Sequence, residues 1–242
     1  MLTTAIATFA LAQDSTPKSF DDVVKSMAAE ARKLSSYRDA WILTTNVGGE
    51  TVKMRVIRAI DGNKGTMFAM IGNDPILHLG SDGKTSFFVL FTQGVYATTT
   101  GNPWVQRSPI IDPAKLEDGD FNFNADGCYD FLISTKPSLK ISSVSPSQFE
   151  GKPARMILAT VKRPETNSGV DLKLTFPPSS YELLRAEATV TLKDKRKVTF
   201  TAIRERVERG AKIEPQEFTF PPIDKGVLKQ VAWSELVPGF GR

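Results

Sequence analysis

Short runs of β-branched, aromatic and aliphatic residues, each ended by a turn signal, recur along this chain and predict a fold built from strands. In the first half, the stretches 48–49, 61–63 and 72–75 read GG, DGN and GNDP. Glycine, asparagine and proline favour tight turns, and turns at such close spacing favour an antiparallel meander. The runs between them cover residues 41–45, 52–60, 66–71, 76–79, 85–91 and 95–99.

A second group of strands is predicted in the last third of the chain. Apolar and polar residues alternate over 170–176 and again over 184–192, as in strands with one buried and one solvated face. Two further runs cover 198–207 and 215–222. Together the groups predict a mainly β (α+β) domain of about ten or eleven strands, and a sheet of that size must curl. It can close as a barrel, pack as a sandwich, or stay an open antiparallel half-barrel plugged by helices.

An amphipathic helix is predicted ahead of the strands. The stretch 19–22, Ser-Phe-Asp-Asp, resembles a helix capping box in which aspartate takes the place of glutamate. Apolar residues then recur three or four positions apart over about four turns, which is the spacing of one helix face. They are Phe20, Val23, Val24, Met27, Ala28, Ala31 and Leu34.

Residues 1–12 have the character of a signal peptide whose true start lies upstream. They are apolar or small, and Ala10-Leu11-Ala12 provides the small residues that signal peptidase prefers. The run is too short to span a bilayer. We therefore predict a truncated signal peptide over 1–12 and a single exported domain over 13–242. The alternative is a frayed cytosolic N-terminus.

The pattern of strands breaks between residues 101 and 153. Prolines stand at 103, 109, 113, 137 and 146, and acidic residues cluster at 117, 118 and 120. We predict an irregular insertion with one short helix at 128–133. Long insertions of this kind in compact domains commonly serve as lids or binding loops.

The residues that carry most protein chemistry are scarce. One histidine, His78, and one cysteine, Cys128, exclude a multi-histidine or thiolate metal site and an internal disulfide. Gly83-Lys84-Thr85 does not fit a phosphate-binding loop, because position 78 is not glycine and a strand pattern follows. The net charge of +4 comes from scattered residues, which argues against nucleic acid as a partner. We expect no enzymatic activity and no cofactor.

Arg58 is a charged residue on an apolar face of the run 52–60. A buried arginine needs a partner, because an unpaired buried charge costs several kcal/mol. Its planar fork suits a carboxylate, a phosphate, or backbone carbonyls at a helix end. The alternative is an arginine near the strand end that reaches water. The apolar members of this face are Val52, Met54, Val56 and Ile60.

Three motifs in matching order resemble the family of periplasmic outer-membrane lipoprotein carriers, LolA and its relatives. The stretch 81–85, SDGKT, followed by aromatic residues, is similar to a hairpin of that family. The stretch 218–222, FTFPP, followed by Gly226-Val227, is similar to its C-terminal F-x-F-x-P-P-x-G-V segment. The opening helix that leads through 34–37, LSSY, into the first strand is the third.

The resemblance implies an open half-barrel in which helices form a lid over an apolar hollow. Carriers of this family hold lipoprotein acyl chains in that hollow, and an arginine on an early strand latches the lid through hydrogen bonds to its backbone. Arg58 takes the position of that latch. The strand pattern and the resemblance together predict a lining of Met54, Val56, Met67, Ala69, Ile71, Phe87 and Phe88.

The resemblance, together with the apolar strands, implies a soluble periplasmic carrier that binds the acyl chains of lipoproteins or other lipids for transport to the outer membrane. Its partners would include a membrane-bound donor or acceptor complex. One alternative is a LolA-like regulatory or sensor domain that binds a lipid or a partner protein as a signal. Another is an interaction protein whose own side chains fill the hollow. A hydrolase lacks support, because no G-x-S-x-G stretch is present.

Overall fold

The computed structural model of the protein describes residues 17–33, 36–47, 49–101, 139–163, 168–191, 195–221 and 227–236. In these ranges it contains one 12-stranded sheet. The sheet is accompanied by helices α1 (Phe20–Arg32) and α2 (Trp233–Leu236) and by 3₁₀ turns at Phe91–Gln93 and Pro215–Phe218. The strands are β1 (Ser36–Val47), β2 (Glu50–Asp61), β3 (Lys64–Ile71), β4 (Asp74–Ser81), β5 (Thr85–Leu90), β6 (Val95–Thr100), β7 (Lys140–Phe149), β8 (Lys152–Arg163), β9 (Ser168–Phe176), β10 (Arg185–Thr191), β11 (Lys197–Arg209) and β12 (Lys229–Gln230).

The sheet is open, and its two edges are β12 and β7. The strand order is β12-β6-β5-β4-β3-β2-β1-β11-β10-β9-β8-β7. Two antiparallel meanders, β1–β6 and β7–β11, join where β1 pairs with β11, from Tyr37 opposite Arg209 to Val47 opposite Val198. The short strand β12 runs parallel to β6. The predicted mainly β fold with an open antiparallel sheet is confirmed, with 12 strands in place of about ten or eleven.

Two predictions for the later part of the chain are wrong. Residues 140–149 form strand β7 within the region predicted to be irregular. Pro146 is tolerated there because β7 is an edge strand, where a missing backbone donor leaves no neighbour unpaired. Residues 215–218 form a 3₁₀ turn in place of a strand, and Glu214 and Glu217 cap it reciprocally. The predicted helix at 128–133 and the signal peptide at 1–12 lie outside the described residues.

Helix α1 packs against one face of the sheet. At its start, the Asp22 amide donates to Ser19 Oγ over 3.2 Å, and the Ser19 amide donates to Asp22 Oδ2 over 3.0 Å. Both bonds satisfy backbone donors that a helix start leaves open. The helix buries Phe20, Val23 and Met27 in the main core. We call the sheet face in this core the helix face, and its buried members include Trp41, Val56, Met67, Ala69, Leu172, Leu174 and Ala202.

The C-terminal part of the chain covers the opposite face, which we call the tail face. Ala211 and Phe218 pack with Ala59 of β2 in one cluster. Leu228 packs with Phe87 of β5 in another. Side chains alternate between the two faces along each strand, so the sheet needs both covers. The run 85–91 is apolar on both sides because one side belongs to the tail face, with Phe87, and the other to the helix face.

The SDGKT stretch is the turn between β4 and β5. Asp82 Oδ1 accepts the backbone amides of Lys84 over 2.8 Å and of Thr85 over 2.7 Å. Gly83 has a φ of +90°, a backbone conformation that side chains rarely adopt. The glycine of the Gly-Lys-Thr stretch therefore serves the turn.

His78 lies on the tail face within an aromatic cluster. Its ring centroid is 5.5 Å from that of Phe68 and 4.9 Å from that of Phe87, both edge-on. Nε2 lies 3.0 Å from Thr66 Oγ1. Burial lowers the pKa of His78 from 6.5 to about 4, because little water is left to solvate the charged ring.

We predict that the free energy of unfolding falls as the pH drops from 6.5 towards about 4, and that His78 is the cause. In this window the unfolded chain binds a proton on the ring and the folded chain does not, so protonation favours unfolding. The full difference is about 3 kcal/mol, at about 1.4 kcal/mol per pKa unit. Urea unfolding across this range measures it. His78→Gln should flatten the slope, and a variant that keeps the slope would contradict the assignment.

Candidate binding site

Most of the predicted lining residues lie on the helix face. Val56, Met67 and Ala69 are buried in the core that α1 shares. Met54 is half-buried against the same core, and Phe88 is half-buried on β5. The structure therefore brings these five residues together on one side of the sheet.

Ile71 and Phe87 differ from these five residues. By the alternation of β3, Ile71 belongs to the helix face, but it ends the strand and is 40% exposed. Phe87 belongs to the tail face, where its ring sits so close to Gly80 that a Cβ there would stand 2.7 Å away. Because successive side chains of a strand point to opposite faces, Phe87 and Phe88 cannot line the same surface. The prediction of one lining with all seven residues is corrected for Phe87, and whether the others bind a lipid stays a prediction.

A line of half-buried apolar side chains extends the core across β2, β4 and β5. We call Met54, Leu77, Leu79 and Phe88 the apolar row. Leu79 lies opposite Met67 in one ladder and opposite Phe88 in the next. The sequence did not single out Leu77 and Leu79, because the run 76–79 is too short to reveal its period.

The predicted latch, Arg58, binds a carboxylate. Its Nε donates to Asp39 Oδ1 over 2.9 Å and its Nη2 donates to Asp39 Oδ2 over 2.6 Å. Asp39 stands directly opposite on β1 and is 1% exposed. The Trp41 indole Nε1 donates to the same carboxylate over 2.9 Å. A carboxylate is one of the three kinds of partner predicted for Arg58. The role of Arg58 as a lid latch stays a prediction, because residues 102–138 lie outside the described residues.

The electrostatics of this pair favour its charged form. Burial raises the pKa of the Asp39 carboxyl, but the charge and hydrogen bonds of Arg58, the Trp41 indole and the charge of Arg204 outweigh it. The net pKa lies below its ordinary value. Asp39 is therefore a buried carboxylate that holds the guanidinium group in one orientation.

A second arginine reaches the same tryptophan from β11. The Arg204 guanidinium carbon lies 4.8 Å from the centroid of the Trp41 ring, and that of Arg58 lies 5.9 Å from it. Arg204 Nη1 donates to Glu182 Oε1 over 2.6 Å. Arg209 also donates to the Glu182 carboxylate. Two arginines from opposite sides of β1 therefore enclose the indole in a charged, largely buried cluster.

This cluster forms one wall of a pocket of about 320 Å³. The pocket opens at the end of the sheet where β1 begins and α1 ends, and it mixes charged, aromatic and apolar walls. Pockets of this size with a few convergent polar groups are typical of small-ligand or head-group sites. The lining residues are Met27, Glu30, Lys33, Tyr37, Asp39, Arg58, Ser180, Tyr181, Glu182, Leu183, Arg204, Val207 and Arg209.

Neither a metal-ion site nor a membrane-spanning helix is found among the residues that the structure describes. No group of three or more histidine, cysteine, aspartate and glutamate side chains there is placed to hold a metal ion. None of the helices in these ranges has both the length and the apolar character needed to cross a bilayer.

Comparison with known proteins gives likenesses of fold. No family model and no curated protein matches the chain. An uncharacterized conserved protein of Thermus thermophilus has a TM-score of 0.46 at 12% identity, with 88% of this chain and 98% of that one covered. The MucA/MucB complex of Pseudomonas aeruginosa has a TM-score of 0.43 at 11% identity. The match covers 84% of this chain and 61% of the matched chain.

A third similar structure bears the name of the family that the motifs resemble. It is the LolA superfamily protein NE2245 of Nitrosomonas europaea, with a TM-score of 0.36 at 10% identity. The match covers 84% of this chain and 98% of that one. At these identities and TM-scores, the likenesses identify no ligand or partner for this chain.

Proposed function

We propose that this protein is a periplasmic carrier that holds the acyl chains of a lipoprotein or another lipid on the helix face of its sheet. The observation that carries the proposal is the apolar row, which continues the core yet keeps part of its surface exposed. These half-buried leucine, methionine and phenylalanine side chains offer an alkyl chain an apolar surface. This role needs binding and release, and no covalent chemistry.

Energetics explain why such a surface suits a carrier. Each buried CH₂ group of an acyl chain contributes about 0.8 kcal/mol, so a lipid cannot cross water unshielded. Delivery requires that the bound chain can also leave. A surface that a helix covers in part permits two states of similar energy, one open and one closed.

The proposal includes curvature of the sheet towards the helix face. A sheet of 12 strands exceeds the size at which strongly twisted open sheets stay flat, which is about ten strands. Helix α1 and its buried residues Phe20, Val23 and Met27 lie on this face. The half-barrel therefore holds α1 and the acyl chain on its inner side.

We predict that Met54→Gln weakens the binding of a fluorescent acyl probe by about tenfold. The substitution keeps the length of the side chain but places an amide in the apolar row, and an unpartnered amide costs about 1–3 kcal/mol in an apolar setting. Fluorescence titration with a fatty acid that carries an environment-sensitive dye measures the effect.

The matched control is Met70→Gln. Met70 is also half-buried, but it neighbours Arg55 and Pro75 in the ladders and lies off the apolar row. The same chemical change there should leave probe binding within about twofold, a difference of about 0.4 kcal/mol. Mass spectrometry of the protein purified from cells should also reveal bound lipid. If the wild-type protein contains no lipid and binds no probe, the carrier function is ruled out and the partner-binding alternative is left.

A further inference from the structure

The charges that line the pocket do not balance. Its cationic side chains are Lys33, Arg58, Arg204 and Arg209, and its carboxylates are Glu30, Asp39 and Glu182. Among the lining residues that the structure describes, there are four cations and three carboxylates, which is a surplus of one positive charge. The wall of the pocket therefore has a net charge of its own, at the end of the sheet where α1 meets β1.

The surplus belongs to one trio of residues. Lys33 pairs with Glu30 at 2.7 Å, and Arg58 pairs with Asp39 at 2.6 Å. Arg204 and Arg209 share the single carboxylate of Glu182. Within the described part of the chain, the surplus positive charge is therefore shared by these two arginines.

Arg204 also has an unused hydrogen-bond donor. The side chain is 8% exposed, and its Nε has no acceptor anywhere in the described parts of the chain. Buried donors in proteins are nearly always satisfied. Arg155 and Arg185 also have an Nε without an acceptor there, but neither lines the pocket. A buried guanidinium group together with the surplus positive charge of the wall therefore suits the pocket to an anionic acceptor.

We propose that the pocket binds an anionic oxyacid group, a phosphate or a carboxylate, with Arg204 and Arg209 as its binding residues. This inference rests in part on the proposed function, because the group would be the head group of the carried lipid. Met27 and Leu183 line the pocket and also belong to the core of the helix face. An amphiphile can therefore place its charge in the pocket while its chain follows the apolar surface.

The test compares two amphiphiles with the same acyl chain on the full-length wild-type protein. Lysophosphatidic acid carries a phosphate, and monoacylglycerol carries none. We expect lysophosphatidic acid to bind about tenfold more tightly, since hydrogen bonds to charged groups are the strong ones. The preference should shrink in high salt. Inorganic phosphate alone, followed through the indole N–H resonance of Trp41, tests the pocket without any acyl chain.

Variants of the two arginines test whether the preference for lysophosphatidic acid arises in the pocket. Arg204→Lys keeps the charge but removes the planar guanidinium group, and Arg209→Gln removes the surplus charge at a half-exposed position. Each should reduce the preference to about twofold, or about 0.4 kcal/mol, without changing the affinity for monoacylglycerol. Arg206→Gln is the control, because Arg206 is exposed on the same strand and does not line the pocket.

The outcomes separate this inference from the proposed function. Equal wild-type affinity for the two amphiphiles would overturn the head-group site and leave the carrier intact. Binding of phosphate, with neither amphiphile bound, would overturn the carrier and leave an anion site. A preference that Arg206→Gln removes as strongly as Arg209→Gln would also overturn the assignment. The comparison of the two amphiphiles on the wild-type protein tests the head-group site even where a variant fails to fold.

Discussion

Asp39→Asn should lower the free energy of unfolding by about 3–5 kcal/mol, the usual effect of removing one partner of a buried ion pair. Asparagine has nearly the same shape, so the loss is electrostatic. The Arg58 side chain is 13% exposed and the Asp39 side chain 1%, so solvent compensates little for the lost charge. At this chain length the melting temperature falls by roughly 2–4 °C per kcal/mol. Urea and thermal unfolding measure both quantities.

The control for Asp39→Asn is an exposed ion pair between β2 and β11. Glu205→Gln breaks the Arg55–Glu205 pair, in which the side chains are 38% and 42% exposed. Its expected effect is below about 1 kcal/mol, because water solvates both groups.

A double variant tests the cause of the loss. Asp39→Leu with Arg58→Met replaces the ion pair by apolar groups and should recover part of the loss. The recovery is partial because the Trp41 indole N–H loses its acceptor. If Asp39→Asn costs no more than Glu205→Gln, the pair is not a buried electrostatic unit.

The local part of the fold was readable from the sequence. Turn residues separate the strands of the first meander, and Gly62 and Gly83 stand where the backbone has a positive φ. The alternation over 170–176 and 184–192 predicted β9 and β10. These features depend on neighbours in sequence, which is the range over which residue patterns carry information.

Elements that depend on distant partners were not readable. β7 contains Pro146, and only its position at the sheet edge makes that proline acceptable. The 3₁₀ turn at Pro215–Phe218 replaces a predicted strand because Phe218 packs with Ala59 of β2. In both places tertiary context decides between conformations that the local sequence permits.

The charged cluster shows the same limit within the site. Arg58 was singled out because it interrupts an apolar face, and the need for a partner was correct. The sequence did not point to Asp39, because its position opposite Arg58 follows from the register of β1 and β2. The contact of Arg204 with Trp41 depends on the pairing of β1 with β11, two strands that are far apart in the chain. A sequence pattern can therefore predict that a buried charge needs a partner without identifying the partner.

Phe20→Ala should cost about 3–5 kcal/mol, the usual range for removing a buried phenylalanine ring. Phe20 is 2% exposed and lies beside Val23 and Met27 in the main core. Because α1 is not part of the sheet ladder, its side chains must supply most of its attachment. We therefore expect local detachment first, seen as faster amide exchange in α1 than in the paired strands β1 and β11.

The helix offers its own control in Lys25→Ala. Lys25 is exposed, and its pair with Asp21 has side chains that are 72% and 38% exposed. Its loss should change stability by no more than about 0.5 kcal/mol. Detachment of α1 also bears on the carrier, since it uncovers the helix face. Phe20→Ala should bind the acyl probe more tightly than Lys25→Ala does. If amide exchange in Phe20→Ala rises equally in α1 and in the central strands, the helix unfolds only with the whole domain and is not a movable cover.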